Sequence, residues 1–395
     1  MLHGIKVLDF SRVLSGPFCT RMLGDLGAEI IKIESLNGDP MRNSPPFKGR
    51  FASYFTQFNS GKKSVCIQYR HEKGVSLIKR LAAECDVVLE NFRPGLLAEI
   101  GLGYEDLKKI NPGIIYCSIS GFGQEGPESR RPAYTDIIQA LSGLDYAAGN
   151  MYGSDGHGPP GFPFSLADTY ASLNSAVAIL AALYHREITG EGQAIDISML
   201  DSIMAANDST LQKYIFSDGE DDIPTLVFRP PLKMKDGYMS ASIALNFEKT
   251  VKAIGRPDLI EDDLFKTIEL RRENLDIYVQ TVKEWALEKT LEEAAEIFDR
   301  HDIPYGKVNS TGEVINSRIM RDREMLVDVE LPGAGVVPVI NTPFKFSGSA
   351  SRPQGPPPLL GQHSREVLKN LLGMPDKEIE TLVGEGIIFQ ENPKG

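Results

Sequence analysis

At 395 residues the chain is long enough for two or three domains, and 42% apolar with 24% charged residues is a globular rather than a disordered composition. A net charge of −12 argues against broad nucleic-acid binding, and the longest apolar stretch, residues 176–184, falls short of the roughly 18 that a membrane span needs. No signal-peptide core precedes the first strand pattern, and Cys19, Cys66, Cys85 and Cys117 lack CxxC spacing, so the sequence predicts a cytoplasmic protein without disulfides or zinc fingers.

Taken in chain order, residues 5–10 read as a short apolar strand and Pro17 opens a helix that Gly27 ends. Residues 29–34 form the next strand and 64–68 a third, followed by a helix over 71–84 with Val75, Leu77, Ile78 and Leu81 on one side. A strand at 86–90, a helix over 96–110 and a strand at 114–120 continue the alternation. Alternating βα units with near-continuous apolar strands imply a parallel sheet covered on both faces, a Rossmann-like α/β domain. From Tyr134 the pattern turns helical, and 168–185 reads as one nearly buried helix closed by Gly190. After Arg229-Pro230-Pro231 a strand at 237–244 and helices at 247–254, 275–288 and 291–299 suggest a smaller α+β domain. Thr290 and Glu293 are placed as a capping box for the last of these helices. A Pro- and Gly-rich linker at 351–361 leads to two terminal helices at 364–372 and 376–382.

Several chemistries fail on spacing. The turn after the first strand, Ser11 to Pro17, is not GxGxxG, which removes the dinucleotide reading that Glu34 invites. No histidine pair has HExxH spacing, and GxSxG and Walker strings are absent. His185 fits a helix C-terminus, and His157 and His363 sit in Gly- and Pro-rich loops. Asp168 opens the long helix, where it is either an N-cap or a nucleophile kept ionised by the helix terminus; Asp136 and Asp145 are weaker candidates.

A set of strings in fixed order then carries a resemblance. GIKVLDFSR begins at Gly4, GPFCT at Gly16, LGAEIIKIE at Leu26, NSGKKS at Asn59 and VLENFRPG at Val88. NPGIIY follows at Asn111, SGFG at Ser120, LAD at Leu166, TGEGQ at Thr189 and LGQH at Leu360. From about Gly4 to Leu368 the chain resembles the class III coenzyme A transferases, a group that includes formyl-CoA transferase, the carnitine CoA-transferase and α-methylacyl-CoA racemase. The resemblance implies a large Rossmann-like CoA-binding domain over 1–215, a small α+β domain over 216–330 and a segment at 331–395 that returns to the large domain. It also implies an interlocked homodimer, with acyl-CoA and a small carboxylic acid as substrates, no prosthetic group, and neither nucleic acid nor membrane as a partner.

Carried over residue by residue, the catalytic aspartate is Asp168, which would pass CoA between acids through an aspartyl anhydride and an aspartyl-CoA thioester. Oxyanion donors are expected among the backbone N–H groups near Leu14, Ser15 and Asp168. CoA binding maps to Val13, Leu14, Ser15, Ile67, Gln68, Tyr69, Arg70, Asn91, Phe92, Arg93, Arg131, Pro132, Ala133 and Tyr134. Arg70, Arg93 and Arg131 suit phosphates, and Phe92 suits adenine or the pantetheine arm. Ser35 stands where relatives often have an arginine, and Leu14 where formyl-CoA transferases have a glutamine; their glycine-rich small-domain loop is missing too, which disfavours formyl or oxalate chemistry. A racemase is the alternative, but its histidine base falls on Thr135, which cannot serve as a base at neutral pH. A non-catalytic acyl-CoA-binding protein is the second alternative, and intact Asp168 speaks against it. Arg229 and Lys233 either belong to a solvated boundary strand, the reading favoured slightly, or hold a second carboxylate of the acid substrate.

Overall fold

The computed structural model describes residues 1–152, 162–207, 210–219 and 230–391. The chain divides into two units: residues 1–142, 161–207 and 319–395 form the first, and 143–160 with 208–318 the second.

The first unit is built on a seven-stranded sheet. Six strands are parallel: β1 (Lys6–Asp9), β2 (Glu29–Glu34), β3 (Lys63–Ile67), β4 (Val87–Glu90), β5 (Ile115–Ser120) and β6 (Ala194–Ser198). Across the sheet they run β3-β2-β1-β4-β5-β6, and a terminal strand, Ile388–Phe389, adds antiparallel to β3 through Ile388↔Ile67 and Phe389↔Cys66. Every residue of β4 and β5 is buried, as expected of a parallel sheet covered on both faces. One face packs Leu8, Ile31, Val65 and Val88 against Leu77, Ile78 and Leu81 of the helix Glu72–Ala83. Each such side chain contributes about 1.5–3 kcal/mol by leaving water.

Along the other face run α1 (Ser15–Asp25) and a 24-residue helix, Leu166–Thr189, packed on α1 and β5. Between them in sequence lie α2 (Ser53–Asn59) and the helix Thr135–Leu141. In chain order the labels α3 (Glu72–Ala83), α4 (Thr135–Leu141) and α5 (Leu166–Thr189) are used below.

Three sequence expectations need correction. The helix expected over 96–110 is two single turns, Leu96–Glu99 and Tyr104–Leu107. Gly101 breaks it at φ +74°, a conformation that a helix cannot pass through. Helix α5 is not nearly buried: Val177, Tyr184 and Ile188 are about two-thirds or more exposed, and Leu173 and Leu180 are partly so. By length and hydropathy this helix could also cross a membrane, which the short apolar run at 176–184 did not suggest; here its buried side packs on the sheet. Finally, the hairpin of Leu326–Leu331 with Gly335–Ile340 had no counterpart in the sequence reading.

The second unit holds an antiparallel sheet ordered Tyr305–Lys307, Tyr238–Ala241, Leu232–Lys233. Helices Phe247–Ala253, Leu275–Leu287 and Leu291–Arg300 supply a core around Phe247, Phe265, Tyr278 and Phe298. Thr290 and Glu293 form the expected capping box on the last helix.

Candidate active site

Strand order reverses between β1 and β4, because β2 and β3 lie on one side of β1 and β5 and β6 beyond β4. Open parallel sheets bind ligands in the crevice outside the carboxyl ends of the strands at such a switch point. Here the segment after β1 turns sharply through Ser11–Leu14 into α1, and Asn91 follows β4. The Asn91 side chain closes the crevice floor: its Oδ1 accepts the Arg12 N–H at 2.9 Å, and its Nδ2 donates to the Arg12 carbonyl at 2.8 Å and to Ser15 Oγ at 3.0 Å. Gly16 permits the tight turn, since a Cβ there would overlap Ser11 and come within 2.8 Å of Leu89. Val13, though β-branched, sits at φ +67°, a region that costs such a residue on the order of 1–3 kcal/mol. Asp39 meets its N–H at 3.3 and 3.4 Å.

Into this crevice comes the N-terminus of α5. Ser165 is the N-cap residue but makes no side-chain cap bond; instead the Leu166 N–H donates to Gln139 Oε1 of α4 at 2.9 Å. Asp168 is therefore the third residue of the helix, and the capping reading of its carboxylate does not hold. That carboxylate is half-buried, with the Ser15 hydroxyl, the Ser15 backbone N–H and the Thr135 hydroxyl as the neighbouring groups that favour its ionised form. Burial pushes its pKa up, those donors pull it down, and the balance lies at about 6. Ser15 opens α1, so its N–H has no partner within that helix and is free to face Asp168. The Ser172 hydroxyl, one turn beyond Asp168, lies 2.7 Å from both the Ser15 and Asp168 carbonyls and ties the two helix starts together. Two helix N-termini thus converge on one carboxylate, a field that favours negative charge developing there. Tyr54 of α2 adjoins it: burial and the Asp168 charge raise its phenol to about 12, with the Ser165 hydroxyl opposing the rise.

A half-buried carboxylate with a raised pKa lies at a sheet switch point, and comparison with known proteins decides the class. Residues 2–364 match the model of CoA-transferase family III. The chain belongs to CoA-transferase family III. Mouse succinyl-CoA:glutarate CoA-transferase is 37% identical over 100% of this chain and 91% of its own. Formyl-CoA:oxalate CoA-transferase of Streptomyces coelicolor is 31% identical, over 98% and 99%. A CAIB/BAIF family protein of Brucella suis superposes with a TM-score of 0.81 at 32% identity, over 94% of this chain and 99% of that one.

In this CoA-transferase the residues mapped for CoA all fall in the first unit, in unequal settings. Leu14 is buried as the N-cap residue of α1, and Val13 is partly exposed beside it. Ile67 lies wholly in the core, so its side chain faces no ligand, and Gln68 continues β3 with its N–H on the Ile387 carbonyl. Phe92 does not offer an open ring: it is buried, with the Arg12 guanidinium 4.8 Å from its centroid and the Tyr69 ring 6.4 Å away. Arg12 is thus the exposed cation at this point, alongside exposed Arg70 and Arg93. Arg131 lies 5.4 Å over Phe122 and pairs with Glu128 at 3.1 Å; both partners are exposed, so the pair is weak. Pro132 is exposed, Ala133 packs toward Gly121, and Tyr134 is 75% exposed at the entry to α4.

Sequence reasoning missed Tyr54, Gln139 and Ser172, and gave Thr135 no positive role. Tyr54 lies on a helix that was not anticipated, while the i, i+4 pairs Thr135–Gln139 and Asp168–Ser172 carried a local signal. Among the described residues no group of three His, Cys, Asp or Glu side chains converges as metal ligands do. Arg229 and His157 lie outside the described residues; Lys233 is exposed on its short strand.

Proposed function

We propose that this CoA-transferase moves CoA from a dicarboxylic acyl-CoA, succinyl-CoA being the first candidate, to a free dicarboxylic acid through covalent intermediates on Asp168. The observation that carries the reading is the Asp168 carboxylate beside Ser15, where the starts of two helices are tied together by Ser172. The donor is suggested by the names of the mouse relative and of succinyl-CoA--D-citramalate CoA-transferase of Chloroflexus aurantiacus, which is 31% identical.

At every step the acyl group stays activated, as a thioester or as an anhydride. An Asp168 oxygen attacks the thioester carbon, the C–S bond breaks, and an aspartyl anhydride and CoA thiolate result. The thiolate attacks the Asp168 carbonyl and expels the donor acid as its carboxylate, leaving an aspartyl-CoA thioester. The acceptor carboxylate attacks that carbonyl and releases thiolate, which then takes the acceptor's acyl group and frees Asp168. No proton is gained or lost overall, and no ATP is needed. Oxyanions next to Asp168 meet the Ser15 N–H, and Arg12, Arg70, Arg93 and Arg131 are assigned to the CoA phosphates.

A panel of acyl-CoA donors and free acids, read by mass spectrometry, tests this. Succinyl-CoA with five- or four-carbon dicarboxylates is expected to give the fastest exchange. A clear preference for formyl-CoA with oxalate would overturn the donor assignment.

The active form we infer is an interlocked homodimer. Its support is the apolar row Leu173, Val177, Leu180, Tyr184 and Ile188, which follows one face of α5 at steps of three and four and needs cover. Sedimentation is expected to give a dimer that survives dilution, because threaded chains separate only by unfolding. A folded monomer at low concentration would contradict the linkage.

A further inference from the structure

Beneath the crevice lies a set of buried charges that the reaction scheme does not use. Asp9, Lys32, Asp39 and Lys62 are each at most 3% exposed. Lys62 Nζ donates to Asp9 Oδ2 at 3.0 Å, Thr20 Oγ1 at 2.8 Å, and the Pro17 carbonyl and Asn59 Oδ1 at 3.0 Å each. Lys32 Nζ reaches the Ser11 carbonyl at 2.6 Å and Asp39 Oδ2 at 3.1 Å. Asp9 accepts the Ser11 N–H at 2.9 Å and the Ser11 hydroxyl, and Asp39 accepts the Val13 N–H. Charges alternate, and their bonds end on the two flanks of one segment, residues 11–20.

We propose that this quartet is a positioning device for the Ser11–Ser15 turn: it holds Val13 in its left-handed conformation so that the Ser15 N–H points at Asp168. Apolar residues of similar volume usually pack at least as stably as a buried ion network, so the network's value here is geometric. If Val13 relaxed to negative φ, the peptide planes between Val13 and Ser15 would rotate and the Ser15 N–H would leave the carboxylate. Asp39 is the key member, because it alone grips the strained residue. Titration behaviour differs across the network: burial would raise Asp9, but Lys62 and Lys32 bring it to about 2, and Lys32 is raised by Asp39, Asp9 and Glu34 against its own burial, whereas burial and the Lys32 charge pull Lys62 down to about 8 despite Asp9.

The inference rests on Asp168 as nucleophile, and the test separates the two. The acid limb of the kcat/KM profile reports Asp168 in the free enzyme and is expected near pH 6. Tyr54, the titratable neighbour on α2, stays neutral across that range, and no charged group is among the causes of the Asp168 shift. In Asp39→Ala the limb is expected to move upward by roughly one pH unit as the Ser15 donor is lost, with kcat falling on the order of 10- to 100-fold. Removing the Asp39 charge without moving the turn would leave the limb in place or move it down, so an upward shift discriminates. Asp39→Asn keeps an acceptor for the Val13 N–H and should shift the limb upward by less. Should Asp39→Ala fail to fold by circular dichroism, Asp39→Asn decides. A folded variant whose limb stays or moves down overturns the proposal, whereas an active Asp168→Ala would overturn the nucleophile assignment instead.

Discussion

Asp168→Ala is expected to abolish CoA transfer, by on the order of 10⁴- to 10⁶-fold in kcat, the scale on which loss of a covalent nucleophile is felt. Affinity for CoA should change little, because the phosphate cations stand on other segments and the carboxylate supplies chemistry rather than grip. Steady-state transfer together with CoA binding by calorimetry checks both halves, and a variant that retains substantial transfer would remove the covalent scheme. The same site predicts an opposite effect on stability. Asp168 titrates near 6 instead of near 3.8, so the folded state holds its proton more tightly than the unfolded chain. That contribution is complete below about pH 4 and is lost as pH rises through 6. Asp168→Asn should therefore stabilise the protein at pH 8, by on the order of 2 kcal/mol, and hardly at all at pH 4.

The second large effect separates transfer from epimerisation. Given an acyl-CoA donor and a free acid, the enzyme should accumulate an adduct on Asp168 that hydroxylamine releases. In deuterated water with a 2-methylacyl-CoA it should not exchange the α-proton. A positioned base is worth roughly 10²–10⁴-fold, and the position that would hold it carries Thr135. The structure gives that threonine another task, since its hydroxyl donates to Gln139 Oε1 at 3.2 Å and favours the ionised form of Asp168. Asp136, beside Thr135 in the first turn of α4, is exposed. Rapid deuterium uptake without an acceptor acid would sink the transferase reading.

What the sequence made legible follows the range of the interactions. Strands β1 to β5 announce themselves through short runs such as 29–34, whose observed bounds match the reading residue for residue. Gly190 marks the end of α5 because a left-handed residue at a helix terminus is a local requirement. The exposure of α5 was misjudged because apolar content does not reveal which face finds a partner in one chain. Asp168 stood out through its neighbours in the LAD string, but its setting did not. Ser15 lies 153 positions away, and nothing in local pattern links Asp39 to Val13 or Lys62 to Asp9, a pair 53 residues apart. Such pairings exist only once β1, β2 and β3 lie side by side.

The antiparallel strand at Ile388–Phe389 has a bearing on how the protein is made. It closes the β3 edge, and Ser364 Oγ takes the Cys66 N–H on that edge at 3.1 Å, from 298 residues further along the chain. A ribosome adding about 5–20 residues per second emits β3 roughly 15–60 s before the segment that caps it. Throughout that interval the nascent sheet presents an unpaired, apolar edge, the kind of surface that neighbouring chains on a polysome extend into aggregates. Closure of that edge is thus among the last steps of synthesis, and the exposure of β3 ends only when the chain is nearly complete.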